Sequence, residues 1–441
     1  MKNTYIKKVK ILIPLFILSC VFLTSYNISF AQSEKATKKA VVKKQTIKKA
    51  ATSKTKTTTP KIKKNTSKAA STTDILATKT LTSTNNFSKE VNDILNKNFS
   101  SAVWVPYWAK TKGLDEVKNN INKIDIVSPF SYEMTETGTF VDKMKLGFDP
   151  YMSSIKLAKE NKKLVIPSIL WWATDEKGRS DVDFVLKDSD LRSSIIFDIK
   201  TEIKKYNLDG IDIDFENKKA ETRDAFSTFI EELSAELHKD GKVLICTIEA
   251  RTPSDTDFVN GPDAAKDLER SNDFKRLGKA CDQVRIMAYD QGSADADLNK
   301  VRAGGAYRPV ADIDWVKKVL TLAMRDIEFR KIIVGVPTYG YKYEIIRDTN
   351  QNINSYKRLG SMNWIYADAE AKAKNVLPER NVGGELSYTY FDTEKNKEYL
   401  VWYSDAEAIK QKIDLAKLYK IGGVAIFKID GNQDKNIWSK L

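Results

Sequence analysis

Strand-like runs rich in β-branched and aromatic residues recur from about residue 101 to the end of the chain, and amphipathic helical patterns separate them. The eight runs are 102–108, 124–132, 163–170, 208–216, 243–250, 283–289, 331–339 and 422–429. The clearest helical patterns cover 191–206, 220–239, 314–327 and 406–419. Repeated strand–helix units of this kind predict an α/β fold in which a (β/α)8 TIM barrel occupies residues 101–441. In such barrels the chemistry lies at the carboxyl ends of the strands.

The interval between the seventh and eighth strands is too long for one loop and one helix. Residues 344–400 therefore predict a small α+β insertion in the barrel. Within it, 386–391 and 398–403 alternate as the two strands of a β-hairpin do.

The fourth strand carries the most informative pattern in the chain. Residues 208–217 read Leu-Asp-Gly-Ile-Asp-Ile-Asp-Phe-Glu-Asn, in which three large apolar residues alternate with Asp212, Asp214 and Glu216. On a strand, this period of two places the carboxylates on one face, about 6–7 Å apart. Like charges at that spacing raise at least one carboxyl pKa, which gives the mixture of acid and carboxylate that glycoside hydrolysis needs. The open alternatives are a hard-cation site and a solvated edge strand.

Histidine and cysteine usage restricts the chemistry further. The one histidine, His238, lies on a predicted helix, where we expect a solvated surface side chain. Acid–base chemistry must therefore come from carboxylates and tyrosines, and we predict no metal and no cofactor. Of the three cysteines, Cys20 lies in the N-terminal segment. Cys246 and Cys281 lie on or beside neighbouring predicted strands; one bridge could form, but we favour two buried thiols.

Residues 1–31 have the composition of a secretory signal peptide. Four lysines precede an apolar run from Ile11 to about Phe30, and small residues suit cleavage after Ala31. This predicts a secreted or cell-wall-associated protein that meets the membrane only through the signal segment. A membrane-anchored form and a lipoprotein form are the alternatives.

Residues 32–73 predict a disordered basic linker, and residues 74–100 a transitional segment. The linker contains 13 lysines and one glutamate, and it has too few apolar residues to fold. It could attach the protein to an anionic cell-wall polymer, or it could be a plain spacer. Residues 1–73 carry a net charge of +16 in a chain of net +14, which leaves −2 for the remainder. We therefore expect no nucleic-acid partner.

Four segments of the predicted barrel resemble glycoside hydrolase family 18, the chitinase-like barrels. The segment from Asp209 to Glu216 fits the active-site pattern DGxDxDxE of that family. Met287-Ala288-Tyr289-Asp290 fits its MxYD element, and the stretches 335–340 and 422–427 resemble its seventh and eighth strands. The resemblance spans about residues 101–441 and implies a (β/α)8 barrel with glycosidase activity.

The resemblance also implies a role for each acidic residue. The family uses a retaining, substrate-assisted mechanism without an enzyme nucleophile. Glu216 would be the general acid and then the base. Asp214 would orient the substrate's 2-acetamido group, and Asp212 would pair with Asp214 and tune it. Tyr289 would hydrogen-bond the acetamido oxygen, and Asp290 would shape the same subsite.

Further substrate contacts are expected at or near the strand ends. Two departures from the family pattern affect them: Ser168-Ile169-Leu170-Trp171 lacks the glycines of the family's SxGG element, and Phe427 stands where many members have tryptophan. A phenyl ring still stacks on a sugar face, with less area. The expected substrate-binding residues are Asp290, Met287, Phe427, Tyr339, Trp104, Tyr107, Trp171 and Trp172.

These observations predict a secreted glycosidase that hydrolyses β-linked N-acetylglucosamine polymers. Peptidoglycan of the cell wall or spore cortex is the expected substrate, because the basic linker suits an anionic wall. Two alternatives stay open: a chitinase acting on chitin or chito-oligosaccharides, and a non-catalytic chitinase-like carbohydrate-binding protein. Relatives without turnover usually lack the glutamate that corresponds to Glu216, which this chain retains.

Overall fold

The computed structural model describes residues 86–171, 182–252 and 271–441. The predicted signal peptide 1–31, the linker 32–73 and Trp172 lie outside these ranges. The predicted transitional segment is described from residue 86, and it contains a helix, α1 (Lys89–Leu95). Among the described residues, no helix has the length and apolar character that crossing a membrane requires.

Eight parallel strands form a closed barrel, as the sequence predicts, and the third of them is split into two pieces. In chain order, the strands of this sheet are β1 (Ser100–Pro106), β2 (Ile126–Met134), β3 (Phe140–Asp142), β4 (Leu164–Val165), β5 (Ser168–Trp171), β6 (Gly210–Phe215), β7 (Val243–Glu249), β8 (Gln283–Met287), β9 (Ile332–Pro337) and β15 (Gly423–Phe427). The barrel closes because β1 pairs with both β2 and β15. The predicted third strand is split into β4 and β5 next to Pro167, which has no N–H to donate to a ladder. Strand β3 is an antiparallel addition to β2.

Helices surround the barrel and begin where side chains cap them. The described helices after α1 are α2 (Lys110–Asn119), α3 (Tyr151–Glu160), α4 (Asp183–Lys187), α5 (Ser189–Lys205), α6 (Arg223–Lys239), α7 (Phe274–Ala280), α8 (Ala296–Val301), α9 (Ile313–Ala323), α10 (Trp364–Ala373) and α11 (Ala406–Leu418). The four predicted helices correspond to α5, α6, α9 and α11. Asp188, Asp312 and Asp405 cap α5, α9 and α11 by accepting backbone N–H groups of the first turn.

The barrel has an inner and an outer core. The outer core lies between strands and helices; there the Phe215 ring of β6 stacks on Phe229 of α6 with ring centres 6.0 Å apart. The inner cluster includes Trp104, and Val91 and Ile94 of α1 pack against it. Helix α1 is therefore part of the folded barrel, because its two buried side chains complete this cluster.

The insertion between the seventh and eighth barrel strands is a five-stranded antiparallel sheet with one helix. Its strands are β10 (Tyr339–Arg347), β11 (Ile353–Asn363), β12 (Glu379–Arg380), β13 (Leu386–Asp392) and β14 (Lys397–Tyr403), in the order β11-β10-β14-β13-β12. The predicted hairpin is β13–β14. The insertion begins at Tyr339 rather than at 344, because the barrel strand β9 ends at Pro337. Gly340 permits β10 to approach β14, since a Cβ atom there would lie 2.0 Å from the Trp402 carbonyl oxygen.

Two predictions about single residues were wrong. Cys246 and Cys281 form a disulfide, not two thiols, because Cys281 lies two residues before β8, the neighbour of β7; their Cα atoms are 6.1 Å apart. His238 is half-buried rather than solvated. Its Nε2 atom lies 3.0 Å from Asp282 Oδ2, and its ring packs edge-on against Phe87.

Candidate active site

The acidic strand predicted from the sequence is β6, and its side chains alternate as expected. Asp212 and Asp214 are buried (0% and 2% exposed), and their neighbours in sequence belong to the outer core. The strand ends at Phe215, so the half-buried Glu216 lies at the carboxyl end of the barrel. The three acidic side chains therefore form a row from the barrel interior to its mouth.

Asp212 is held at both carboxylate oxygens by side chains of four other barrel strands. Its Oδ2 atom accepts hydrogen bonds from Ser168 Oγ at 2.7 Å and Trp104 Nε1 at 3.1 Å. Its Oδ1 atom accepts from Thr247 Oγ1 at 2.7 Å. The fully buried Arg285 places Nη1 3.4 Å from Oδ2. Burial lowers the pKa of Arg285, and Asp212 opposes that effect. These contacts fix Asp212 beneath the reactive part of the row.

Asp214, the middle carboxyl group, is the least satisfied. Its Oδ1 atom is buried and has no hydrogen-bond partner among the described residues. Burial raises the pKa of Asp214 well above its ordinary value, and the charges of Glu216 and Asp212 raise it further. Lys218 opposes this rise. Asp214 therefore holds a proton more readily than an ordinary aspartate does, and its free oxygen is available to a ligand.

Glu216 has the protonation behaviour of an acid–base catalyst. Burial and then the charge of Glu249 raise the pKa of Glu216 to about 7, with a smaller contribution from Asp290. Lys218 acts in the opposite direction. A carboxyl group with this pKa can donate a proton and accept one back near neutral pH.

Glu249 and Lys218 form a buried ion pair beside Glu216 that the sequence analysis missed. Lys218 Nζ lies 3.5 Å from Glu249 Oε2 and also bonds the Phe215 carbonyl oxygen. Glu249 Oε1 accepts the N–H of Asn217 at 2.6 Å, and Oε2 accepts Asn272 Nδ2 at 2.9 Å. Burial acts to raise the pKa of Glu249, but Lys218 and these hydrogen bonds outweigh it and lower the pKa. Glu249 ends β7, and a carboxylate at a barrel strand end is the signal that could have identified it.

Tyr289 follows β8 and lines the same cleft as Asp214 and Glu216. Its ring stacks on Phe427 with centres 5.5 Å apart. Burial raises the pKa of Tyr289 well above its ordinary value, and the charge of Asp214 raises it further. The Tyr289 hydroxyl is therefore a proton-bearing donor throughout the physiological range.

Asp290 connects the barrel to the insertion. Its Oδ1 atom accepts hydrogen bonds from the hydroxyl groups of Tyr339 at 2.8 Å and Tyr341 at 2.7 Å. Both tyrosines belong to β10, the first strand of the insertion. The insertion is thus attached to the mouth of the barrel by a residue of the predicted MxYD element.

A cleft of about 500 Å³ lies over these residues, within the size range of small-molecule sites. Its lining includes most of the predicted residues and several others: Trp108, Phe130, Asp214, Glu216, Asn217, Glu249, Ala250, Arg251, Thr252, Met287, Tyr289, Asp290, Gln291, Ala294, Trp315, Tyr339, Tyr341, Ser361, Phe427 and Lys428. The structure therefore brings Asp214, Glu216 and Tyr289 together in one cleft.

Three residues predicted to bind sugar do not line the cleft. Trp104 is inside the barrel, where it bonds Asp212. Trp171 is buried against Phe215 in the outer core, because the two residues are register partners on neighbouring strands. Tyr107 is half-buried and packs edge-on against Trp108, which lines the cleft in its place. Trp172 lies outside the described residues.

No group of three or more His, Cys, Asp or Glu side chains in the described part of the chain is arranged to hold a metal ion. Asp212 uses its oxygens on four protein donors, and Glu249 uses both of its oxygens on protein donors.

Comparison with known proteins identifies the barrel. The chain matches the model of the family Glycosyl hydrolases family 18 over residues 103–432. The structure is similar to the crystal structure of the Bacillus cereus spore cortex-lytic enzyme SleL, with a TM-score of 0.62 and 23% sequence identity. That match covers 78% of this chain and 73% of SleL, and at this identity it shows a common fold.

Two relatives are similar in sequence. An uncharacterized glycosylase, YvbX, of Bacillus subtilis (strain 168) is 29% identical over 241 residues, which are 55% of this chain and 62% of that protein. A cortical fragment-lytic enzyme of Bacillus anthracis is 26% identical over 259 residues, which are 58% of this chain and 54% of that enzyme. The chain thus spans less than two thirds of either relative. Because the family match covers the barrel and its acidic row, the chain belongs to glycosyl hydrolase family 18.

Proposed function

We propose that the protein hydrolyses β-linked N-acetylglucosamine polymers with retention of configuration, and that the substrate's own acetamido group is the nucleophile. The observation that carries this proposal is the difference in environment between the three acidic residues at the end of β6. Asp214 and Glu216 lie in the cleft with raised pKa values, and Asp212 beneath them is held by four donors. An acid poised near neutral pH beside a group able to contact an amide is what substrate assistance requires.

In the proposed first step, Glu216 donates its proton to the glycosidic oxygen as the bond from that oxygen to the anomeric carbon breaks. The acetamido carbonyl oxygen forms the new bond to the anomeric carbon and closes a ring. Asp214 and the hydroxyl of Tyr289 hold the acetamido group in position for this attack. In the second step, Glu216 takes a proton from water, whose oxygen attacks the same carbon and reopens the ring.

The cleft has the aromatic surface that a pyranose ring needs. Phe427, Trp108 and Trp315 line it and offer rings for stacking on sugar faces. We propose that Asp290, Tyr339 and Met287 complete the subsite, because they lie beside Tyr289 in the same cleft.

Peptidoglycan is the proposed substrate, and chitin is the alternative. One of the relatives described above is a cortical fragment-lytic enzyme, which supports peptidoglycan as the substrate. The net charge of +12 in residues 32–73 adds support, because such a segment is attracted to an anionic wall polymer. We also propose that residues 1–31 direct secretion, which would bring the barrel to that wall.

The direct test is to incubate the secreted form, and a Glu216→Gln control, with purified peptidoglycan and with chitin oligosaccharides. Mass analysis of the products then identifies the released reducing ends. The proposal expects new N-acetylglucosamine reducing ends from peptidoglycan with the wild-type protein only. Release from chitin alone would support the chitinase alternative, and release from neither substrate would contradict the proposed function.

A further inference from the structure

Two arginines next to the cleft contact tyrosine rings of the insertion. Arg358 of β11 is the register partner of Tyr343 of β10, so the two side chains share a face of the sheet. Its Cζ atom lies 4.4 Å from the ring centre of Tyr341, which lines the cleft. Arg358 is therefore held at the rim of the cleft by cation–π contact.

Arg308 approaches the same face from the segment between α8 and α9. Its Cζ atom lies 5.0 Å from the ring centre of Tyr356 and 5.8 Å from that of Tyr343. A Cβ atom at Gly292 would lie 3.8 Å from Arg308 Nη1, and the preceding Gln291 lines the cleft. Arg308 and Arg358, here called the arginine pair, thus both lie around Tyr343.

Neither member of the arginine pair forms a hydrogen bond or ion pair with any residue that the structure describes. Arg308 Nε is buried and unpartnered within the same ranges. Other arginines of the insertion differ: Arg347 is bidentate to Glu398, and Arg380 is bidentate to Asp405. A guanidinium group is matched to a carboxylate. The unpaired Nε of Arg308 is costly because it is buried, whereas Arg358 is exposed and its donors can reach water.

The other charged groups of the cleft indicate which kind of ligand the arginine pair could bind. The floor contains the carboxyl groups of Asp214, Glu216 and Glu249, and Asp290 is nearby. Two described cations line the cleft, and both are engaged by the protein: Lys428 is paired with Asp430, and Arg251 donates to the Asn272 carbonyl oxygen and lies over the Phe274 ring. These acidic groups disfavour an anionic substituent on the floor, least when Asp214 and Glu216 carry protons, so its charge would have to be held elsewhere.

We propose that the arginine pair binds a carboxylate carried by the glycan, which makes the cleft selective for an acidic polysaccharide over neutral chitin. The inference rests on the proposed function, because it names the substrate class of the same site. Two carboxylates have the required chemistry: the lactyl ether group of N-acetylmuramic acid, and a carboxylate of a peptide attached to that group.

Binding tests this inference separately from turnover. Affinities are measured by calorimetry in the Glu216→Gln background, so that no product forms. The ligands are a neutral chito-oligosaccharide, an oligosaccharide of equal length that contains N-acetylmuramic acid, and the same oligosaccharide with its peptide. The proteins carry Arg308→Gln with Arg358→Gln, or Arg347→Gln as a matched control from the same insertion.

Loss of the arginine pair is expected to weaken binding of the acidic oligosaccharide by about tenfold or more, and to leave the neutral ligand unchanged. The Arg347→Gln control should bind both as before. A loss with the peptide-free ligand assigns the lactyl carboxylate, and a loss only with the peptide assigns the peptide carboxylate. Equal losses for acidic and neutral ligands, or no loss, would overturn the inference.

Turnover of the same substrates by the protein with Glu216 intact decides the proposed function. If binding discriminates as expected but neither substrate is cleaved, the hydrolytic proposal fails while the arginine pair keeps its assignment. If both substrates are cleaved and binding does not discriminate, the arginine inference fails while the hydrolytic proposal stands.

Discussion

The floor and the insertion wall of the cleft are built in opposite ways. On the floor, Asp212 receives donors from four other barrel strands, and one of these donors is the buried Arg285. On the wall, Arg358 lies over the Tyr341 ring, and Arg308 reaches the Tyr356 ring from the segment between α8 and α9; neither pairs with a described carboxylate. Parallel barrel strands bring many side chains to one point, whereas the antiparallel sheet of the insertion places Arg358 beside a tyrosine ring without a described carboxylate partner. The carboxylates of the barrel floor are therefore held by many protein contacts, and the proposed arginine pair is held by few.

Removing the proton donor from the floor is expected to have the largest effect. Glu216→Gln keeps the size of the side chain but cannot donate the proton, so hydrolysis should fall by about 10²–10⁴-fold or more while substrate still binds. Steady-state rates together with calorimetric affinity measure this. Turnover close to that of the wild type would remove Glu216 from the mechanism.

Removing the buried cation beside Asp212 should lower the free energy of unfolding strongly. Arg285→Met leaves Asp212 without its buried cation, and loss of one partner of a buried pair typically costs about 3–5 kcal/mol. Urea unfolding followed by circular dichroism measures the free energy of unfolding. A change below about 1 kcal/mol would show that the other donors to Asp212 are sufficient.

The pH profile tests the electrostatic part of the floor. Glu216 must be protonated to act, so activity should fall as pH rises through its pKa of about 7. Glu249→Gln removes a negative charge that raises the pKa of Glu216. Lys218, whose positive charge lowers that pKa, then lacks its partner. The neighbouring Asp214 and Asp290 are unchanged. The alkaline limb of kcat/KM should therefore move to lower pH.

A distant carboxylate gives the control for that profile. Glu231→Gln on α6 alters an ion pair with Arg276 outside the cleft and should leave the limb in place. If Glu249→Gln moved the limb to higher pH, or left it unmoved, Glu249 would not set the pKa of Glu216.

The smallest effect is expected on the wall. Arg358→Gln removes an exposed side chain that has no carboxylate partner among the described residues, so the free energy of unfolding should change by less than about 0.5 kcal/mol. The same urea experiment checks this beside Arg285→Met. A loss comparable to that of Arg285→Met would abolish the contrast between floor and wall.

Much of the barrel could be predicted from the sequence because strand periodicity is local. The alternation in β6 specified which residues face inward, and the tertiary structure agrees. Trp171 was assigned to the cleft because of its place near a strand end, yet its register partner is the outward-facing Phe215. Counting the period of two from Ser168, which contacts Asp212, would have placed it correctly.

Other parts of the site depend on tertiary contacts that no local pattern reports. Lys218 follows the end of β6 and Asn217 has a positive φ of 55°, so the direction of the lysine is set by its contact with Glu249 rather than by strand geometry. The two members of the arginine pair are 50 positions apart in the sequence, and contacts with tyrosine rings of the insertion bring them to the same region. The start of the insertion was misplaced because Tyr339–Arg347 continues the β-branched and aromatic pattern of the barrel strand.

The central claim is that the acids of the floor act together with the substrate's own acetamido group. The most direct measurement compares kcat on an N-acetylated oligosaccharide with kcat on the same oligosaccharide after de-N-acetylation of the sugar at the cleavage site. The free amine is cationic, so an acidic floor should still bind it. The account predicts binding without detectable hydrolysis of the deacetylated substrate; similar kcat values for the two substrates would contradict it.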